Sequence, residues 1–302
     1  MAASTAHFQV TTQPLARSVT RRRLPPLRKV PSLYIGAAIV LVVLATAILA
    51  PIISPAHPND QVLIDRLTPP AWTEEGTSDH LLGTDDFGRD VLSRIIYGSR
   101  ISLAVGILGV LIAGPIGVLI GLLAGYYGGR TESLLMRLAD SQQSLPGILI
   151  AILIVATLGA NVRNLIFVLA LSSWVIYARI AFSSVRSLRN REFVLAALSS
   201  GIRTSRLLWR HILPNMLSPI IVISALQVGR LILLEAGLSF LGLGVPPPDP
   251  SWGNMLADGR NKLLIASWIA TYPGLAISIT VLGINLLGDG LRQTLDPRLR
   301  TV

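Results

Sequence analysis

The sequence predicts an all-α, polytopic membrane protein with six transmembrane helices. Of its 302 residues, 51% are apolar and only 14% are charged, whereas soluble domains carry about 25% charged residues. The apolar residues are concentrated in blocks, and most blocks approach the roughly 20 residues that a helix needs to cross a bilayer. Basic residues lie in short stretches beside these blocks, which is typical of membrane proteins. These observations exclude a soluble globule and a disordered chain.

Six apolar blocks account for the predicted spans. They run over Leu33–Ile53, Ile101–Gly125, Leu145–Leu158, Leu165–Phe182, Met216–Leu243 and Leu264–Leu287. The third block is short for a span, and only the amphipathic stretch from Leu134 would extend it to the required length. The fifth block is longer than a span requires, so a break near Glu235 is considered.

The same pattern divides the chain into segments. Residues 1–31 form a basic tail predicted to be poorly ordered, 32–54 the first span, 55–100 an outer loop, 101–293 a five-helix core with a cytoplasmic loop at about 183–213, and 294–302 a second tail. A signal peptide is the alternative for the first block, but the apolar region is too long for one.

The distribution of basic residues predicts that both termini are cytoplasmic. In that orientation the inner segments carry 18 of the 26 Lys and Arg residues, counting Arg179 at the inner end of the fourth span, and the outer segments carry seven. An excess of Lys and Arg on cytoplasmic loops sets the orientation of membrane proteins, whereas a nucleic-acid-binding domain collects its charge on one folded face. The sequence therefore predicts a bilayer partner and no nucleic acid.

Motifs for ATP binding, hydrolysis and metal binding are missing. The stretch nearest to a P-loop, Gly125–Thr131, lacks the lysine and the spacing of G-x-x-x-x-G-K-[ST]. The four histidines have no metal-ligand spacing, there is no cysteine, and no G-x-S-x-G motif occurs. We therefore predict no catalytic residue, no metal site and no cofactor bound by this chain.

Small residues recur every fourth position along the second block. They are Gly109, Ala113, Gly117, Gly121 and Gly125. This spacing allows helix backbones to approach closely, and it fits either packing within the subunit or a seam with another subunit. Pro115 is expected to kink the same helix.

The cytoplasmic loop between the fourth and fifth blocks carries a predicted short helix. Asn190 is expected to cap its N-terminus, with Glu192 in the first turn. Small or weakly apolar residues repeat on one face: Phe193, Ala196, Ala197 and Ser200. Gly201 is expected to end the helix in the left-handed conformation.

A second helix is predicted beyond Gly201, with Thr204 or Ser205 as its cap and Pro214 separating it from the fifth span. The small face of the first helix suits docking into a groove of another protein. It suits equally an amphipathic helix resting on the bilayer. The residue pattern alone leaves both interpretations open.

Several stretches resemble a known family of permeases. Ala196-Ala197-x3-Gly201 followed by Leu213-Pro214 resembles the E-A-A-x3-G-…-L-P loop of binding-protein-dependent ABC importer permeases. The family narrows to the dipeptide/oligopeptide permeases and their DppC/OppC-like subunit through four further stretches: Leu82–Arg94 (LGTDDFGRDVLSR), Glu235–Gly244 (EAGLSFLGLG), Pro250–Arg260 (PSWGNMLADGR) and Asp296–Arg300 (DPRLR). The resemblance covers residues 30–300. It departs from the family at Leu195, which stands where the loop motif has its first Glu, and at Arg230, where the family has a small or apolar residue.

The resemblance implies a type I ABC importer permease fold in a bacterial inner membrane. It implies that the chain forms half of a heterodimeric pathway with a DppB/OppB-like permease, above one or two P-loop ATPase subunits that bind ATP and Mg. An external peptide-binding protein would contact loop 55–100 and the proline-rich stretch Gly244–Gly253. The alternative is that these outer segments only cap the bundle.

By the same resemblance, residues of the cytoplasmic loop are expected to couple the permease to the ATPases. They are Glu192, Phe193, Ala196, Ala197, Ser200, Gly201, Arg203 and Pro214. Two alternatives remain open. The same machine could import nickel chelates or glutathione-like solutes, or the chain could be a self-contained channel or ion-coupled carrier.

Two charges in the fifth block, Arg230 and Glu235, are candidates for the translocation path or an outer gate, together with Ser239 and Phe240. A charge inside a span is by default a functional-site hypothesis. Five residues place the two charges about 140° apart around a helix, so they do not share a face. The alternative is structural pairing with a partner subunit or with the outer loop.

Overall fold

The computed structural model describes residues 30–295, and within this range the chain forms ten α-helices. They are α1 (Pro31–Ile53), α2 (Val91–Tyr127), α3 (Gly129–Gln143), α4 (Gly147–Leu158), α5 (Val162–Arg189), α6 (Glu192–Ser199), α7 (Thr204–Leu207), α8 (Leu213–Phe240), α9 (Trp252–Gly259) and α10 (Trp268–Leu295). A π-helical turn, Leu208–Ile212, joins α7 to α8. The predicted tails 1–31 and 294–302 and the stretch Asp296–Arg300 lie wholly or largely outside the described residues.

Five helical stretches are long and apolar enough to cross a membrane: α1, α2, α5, α10 and the run from α7 through α8. The third predicted span is divided instead. α4 has 12 residues and rises only about 18 Å, and α3 meets it at an angle of 80°. The stretch from Leu134 is helical, but it bends away from α4 rather than lengthening it.

After α2 the chain nevertheless crosses the bundle before it enters α5, as the parallel direction of these two helices shows. Gly117 of α2 faces Tyr177 of α5, and Gly125, two turns further along α2, faces Val185, two turns further along α5. Two parallel neighbours need a connection that crosses back. Only α3 and α4 join them, so this bent pair is the sixth pass.

The remaining passes alternate in direction. Contacting residues show this, because the residue numbers rise along one helix of each pair while they fall along the other. The facing pairs are Ser102 with Glu235 and Gly106 with Ile232 between α2 and α8, Ser218 with Leu295 and Gly229 with Ile284 between α8 and α10, and Leu33 with Gly290 and Ile39 with Gly283 between α1 and α10. The described chain therefore begins and ends on the same side of the bundle, in agreement with the predicted topology.

Apolar core clusters lie among α2, α4, α5 and α8 and among α1, α2, α8 and α10.

The small-residue stripe of α2 is an internal contact and not a seam with another subunit. All five residues of the stripe are buried. A Cβ added at Gly117 would lie 2.2 Å from the carbonyl oxygen of Trp174, and one added at Gly121 would lie 2.2 Å from that of Ala178. α2 and α5 form the most extensive helix pair of the structure, and the glycines allow this close approach.

Three predicted boundaries are wrong. α2 begins at Val91 rather than Ile101, because Asp90 caps it by accepting a hydrogen bond from the Ser93 N–H at 2.7 Å. The outer loop therefore ends at residue 90, ten residues before the predicted boundary at residue 100. α10 begins at Trp268, since the apolar residues before it, such as Leu264, lie in an exposed turn. α8 runs unbroken past Glu235 to Phe240.

The outer segment before α2 is held by a buried charge network. Asp85 accepts hydrogen bonds from the backbone N–H groups of Phe87 and Arg89 and pairs with the Arg89 guanidinium at 2.6 Å. Arg94 approaches the same carboxylate at 3.6 Å, and both arginines reach Asp258 of α9 at 3.8–3.9 Å. Burial raises the pKa of Asp258, and the two arginines act in the opposite direction. The network joins the outer segment to α2 and α9.

Candidate coupling and translocation sites

The cytoplasmic loop contains the predicted short helix, but its N-terminus differs. α6 begins at Glu192, and Arg191 occupies the cap position without a side-chain hydrogen bond. Asn190 instead terminates α5, with its backbone N–H bonded to the carbonyl of Leu188. The prediction that Asn190 caps α6 is therefore wrong, because α5 continues up to the residue before it.

Gly201 ends α6 as predicted. Its φ of +72° is in the left-handed region. The N–H of Gly201 bonds to the carbonyl of Leu198 at 3.0 Å, and the N–H of Ile202 bonds to that of Ala197 at 3.3 Å. This pair of bonds is a Schellman motif, which turns the chain sharply from α6 towards α7.

Gly201→Leu is expected to loosen this turn. An added Cβ meets no atom within 4 Å, so the expected cost is backbone strain, about 1–2 kcal/mol for a left-handed residue with a Cβ. Gly201→Asn should be milder, because asparagine tolerates this conformation. Limited proteolysis of the loop measures the effect, with Ser200→Leu as the control because Ser200 is exposed and has negative φ. Equal cleavage in the leucine variants would contradict the expectation.

Beyond the turn, the chain is helical without interruption from Thr204 to Phe240. Arg203 precedes this stretch, and neither Thr204 nor Ser205 provides a side-chain cap. The prediction that Pro214 separates two helices is wrong. Pro214 lies in the first turn of α8, where a missing N–H is tolerated, and the π-helical turn carries the chain into it. α6 is thus linked by one short turn to a continuous helical stretch that is long enough to cross the membrane.

The exposed face of α6 differs from the predicted one. Val194 and Ala197 point inward, with 0% and 8% exposure, and join the core cluster that includes Val185 and Leu207. The rest of the helix is exposed, including Glu192, Phe193, Leu195, Ala196, Leu198 and Ser200. Ala197 therefore belongs to the inner side of α6, and the accessible apolar surface is supplied by Phe193, Leu195 and Leu198.

The exposed surface around α6 is basic. Glu192 is the only acid between residues 189 and 210. The exposed arginines of this stretch are Arg189, Arg191, Arg203, Arg206 and Arg210. The surface thus combines apolar side chains with a ring of positive charge, and it lies at the end of the bundle where α5 terminates and the stretch leading to α8 begins.

Glu235 is not exposed to any path in this chain. Its side chain is 0% exposed. The carboxylate accepts hydrogen bonds from the hydroxyls of Ser239 at 2.7 Å, Ser251 at 2.9 Å and Ser102 at 3.3 Å. A buried polar group is tolerated when hydrogen bonds satisfy it. The geometry gives Glu235 a structural role, joining α8 to α2 and to the start of α9.

The other two predicted path residues are also held by contacts on the outer side. Ser239 is buried and donates to Glu235. Phe240 is 39% exposed, and the guanidinium of Arg260 lies 5.1 Å from its ring centroid, within the distance of a cation–π contact. Neither Ser239 nor Phe240 lines the cavity of about 240 Å³ that lies beside Arg230.

Three of the stretches that carry the family resemblance, 82–94, 235–244 and 250–260, converge on this outer half. Glu235 and Ser239 come from one motif, and Ser251 from a second. Asp258 of that second motif meets Arg94 of the first outer stretch. These motifs are therefore largely structural contacts, and sequence reasoning missed the one between Arg94 and Asp258 because these two residues are more than 100 positions apart.

Glu235→Gln is expected to lower stability without changing selectivity. The amide replaces one carboxylate oxygen by N–H donors, which then face either the Ser102 hydroxyl or those of Ser239 and Ser251, so we expect a loss of about 1–3 kcal/mol. Thermal unfolding of the purified protein measures this loss, and Ser239→Ala, which removes one donor, is the milder control. Relative uptake of acidic, neutral and basic solutes should not change. A changed charge preference with an unchanged unfolding midpoint would instead assign Glu235 to a gate.

Arg230 has a different environment. Its side chain is exposed and lines a cavity of about 240 Å³ where the α3–α4 bend meets the middle of α5. Other lining residues are Gln142, Gln143, Pro146, Gly147, Ser172 and Ser173. No carboxylate of residues 30–295 pairs with Arg230, so the predicted alternative of pairing with the outer loop does not occur. Asp140, by contrast, pairs with Arg179 at 2.6 Å.

Six passes, a charged cavity beside a bent helix pair and an exposed loop helix are typical of an integral membrane transport subunit. Residues 117–301 match the family described as "Binding-protein-dependent transport system inner membrane component", and the chain belongs to this family. It is 44% identical over 265 residues to the di/tripeptide transport system permease protein DppC of Pseudomonas aeruginosa, covering 88% of each chain. It is 42% identical to the glutathione transport system permease protein GsiD of Pectobacterium atrosepticum, covering 87% of this chain and 85% of the relative.

The fold resembles a solved ABC transporter. A chain from inward-facing structures of the MetNI methionine ABC transporter aligns with a TM-score of 0.56 at 15% identity, covering 67% of this chain and 96% of that chain. The predicted importer permease fold, the resemblance to DppC/OppC-like permeases and the inner-membrane location are thereby confirmed. The family is one of transport permeases, so the chain is a transport subunit and not itself an enzyme.

Proposed function

We propose that this permease subunit imports dipeptides or oligopeptides as half of a heterodimeric pathway with a DppB/OppB-like permease. An extracytoplasmic binding protein delivers the peptide to the outer segments. One or two P-loop ATPase subunits, which bind ATP and Mg, dock beneath the cytoplasmic loop. The relatives named as peptide permeases support the substrate class, and the relative named for glutathione supports a glutathione-like solute as a second candidate.

The observation that carries the coupling role is the short, continuous helical link from α6 to the membrane. α6 is exposed on the side that Phe193 and Ala196 share, and one turn after it the chain is helical from Thr204 to Phe240. A displacement of α6 by the ATPases is therefore transmitted along this helical stretch to α8 and to Arg230. Glu192, Phe193, Ala196, Ser200 and Arg203 supply the contact surface, whereas Ala197, Gly201 and Pro214 set the shape of the link.

Purification and reconstitution test this proposal. The tagged chain, expressed with its neighbouring genes, should retain a second permease and P-loop ATPases. The complex in liposomes with its binding protein should accumulate labelled dipeptide only when ATP is present on the ATPase side. Flux through the chain alone, driven by an ion gradient, would instead support a self-contained channel or carrier.

A further inference from the structure

The cavity beside Arg230 is positively charged and otherwise neutral. Among the described residues that line it, and those that line an adjoining cavity of about 100 Å³, none is Asp or Glu. Gln142 is fixed in place: its side-chain nitrogen donates to the carbonyl of Leu171 at 2.5 Å, and its oxygen accepts from the Trp174 indole at 2.6 Å. Arg230 is thus the single charge on walls of amides, hydroxyls and apolar groups.

An unpaired arginine within a span requires a compensating group. Arg230 lies 17 residues beyond the start of α8, within an apolar span, where a charged side chain is costly unless water or a partner group receives it. Such charges face a bundle interior or a water-filled cavity and mark substrate pathways. Arg230 faces a cavity, and nothing in residues 30–295 neutralises it, so an anion from outside this chain fits the site.

We propose that Arg230 and this cavity form a carboxylate subsite that receives the C-terminal carboxylate of the transported peptide, an inference that rests on the proposed function. A guanidinium binds a carboxylate in a bidentate, planar arrangement. The C-terminal carboxylate is the one anion that unmodified peptides share whatever their side chains, and neutral walls do not discriminate among those side chains. The cavity is smaller than the 300–1,000 Å³ of pockets that enclose whole ligands, so it holds a terminus rather than an entire peptide. It offers no acid to the N-terminal ammonium.

Uptake of end-modified peptides tests the subsite in the reconstituted complete complex. The substrates are a dipeptide, its N-acetyl derivative and its C-terminal amide, each at a concentration that saturates the binding protein. Rates are expressed relative to the wild-type chain, which cancels the selectivity of the binding protein. We expect Arg230→Gln to lower uptake of the two carboxylate substrates at least tenfold and to leave uptake of the amide within twofold of wild type. Arg230→Lys should fall between wild type and Arg230→Gln.

Controls separate the subsite from the proposed function. Arg163→Gln removes an exposed arginine from the first turn of α5, away from the cavity, and should leave all three rates unchanged. Failure of the wild-type complex to transport the free dipeptide would count against peptide import itself. Equal relative rates for acid and amide in Arg230→Gln would overturn the subsite. Loss of the second permease from purified Arg230→Gln would also overturn it, since Arg230 would then pair with that subunit.

Discussion

Replacing Gly121 with alanine should severely destabilise the permease subunit. The added Cβ would lie 2.2 Å from the carbonyl oxygen of Ala178 and 2.6 Å from the Cβ of Ala181. Neither atom belongs to a flexible side chain, so α2 and α5 must separate along their shared length. Overpacking costs about 1–3 kcal/mol and sometimes more, and here it acts on the most extensive helix contact of the structure.

Thermal unfolding in detergent, together with the yield of monodisperse protein, measures this effect. Gly114→Ala is the matched control, because Gly114 is buried in the same helix and its added Cβ would lie 3.6 Å from the Tyr177 ring, an ordinary contact. Gly114 precedes Pro115, so alanine there has an additional backbone cost, and a lower midpoint for Gly121→Ala than for Gly114→Ala therefore reports packing. Equal midpoints for the two variants would contradict the close approach of α2 and α5.

The glycine stripe shows what the sequence could and could not decide. A four-residue spacing of small residues predicts close helix contact, and that much is confirmed. It does not identify the partner helix, because glycine presents the same surface to its own subunit and to another. In the structure the partner helix is α5, whose Trp174 and Ala178 carbonyls face the stripe. The parallel direction of α5 depends in turn on the bent α3–α4 pass.

Hydropathy located the spans but not their polar ends. The first turns of α2 contain Arg94 and Arg100, which lower the local hydropathy and place the predicted start at Ile101. In the structure Arg94 is 3% exposed and faces Asp85 and Asp258. These partners come from a loop before α2 and a helix far beyond it, so no local pattern could supply them.

The two intramembrane charges were recognisable, but their roles were not. An isolated acid and an isolated base in one apolar block receive the same functional interpretation from sequence. The serines that satisfy Glu235 come from three separate places in the chain, whereas Arg230 meets the α3–α4 bend and stays unpaired within residues 30–295. Burial and hydrogen-bond partners depend on tertiary structure, and they distinguish Glu235, which connects helices, from Arg230, which lines a candidate binding site.

Ala196→Glu should abolish ATP-driven uptake while leaving the subunit folded. Ala196 is exposed on α6, so a glutamate there is solvated and costs little in the free subunit. On the proposed docking face, the same side chain holds α6 away from the ATPase groove and adds a buried charge to the interface. We expect uptake at background level, with an unchanged unfolding midpoint for the purified permease.

Ala197→Glu is the informative comparison, because it makes the same change one residue along. Ala197 is 8% exposed and packs in the core cluster with Val194. A carboxylate there is buried without a partner, so this variant should lose folded protein rather than coupling alone. The two variants share residue type, helix and added charge, so only the orientation of α6 distinguishes them. Normal uptake by Ala196→Glu would remove α6 from the coupling surface, and similar loss of folding in both variants would reject the inward orientation of Ala197.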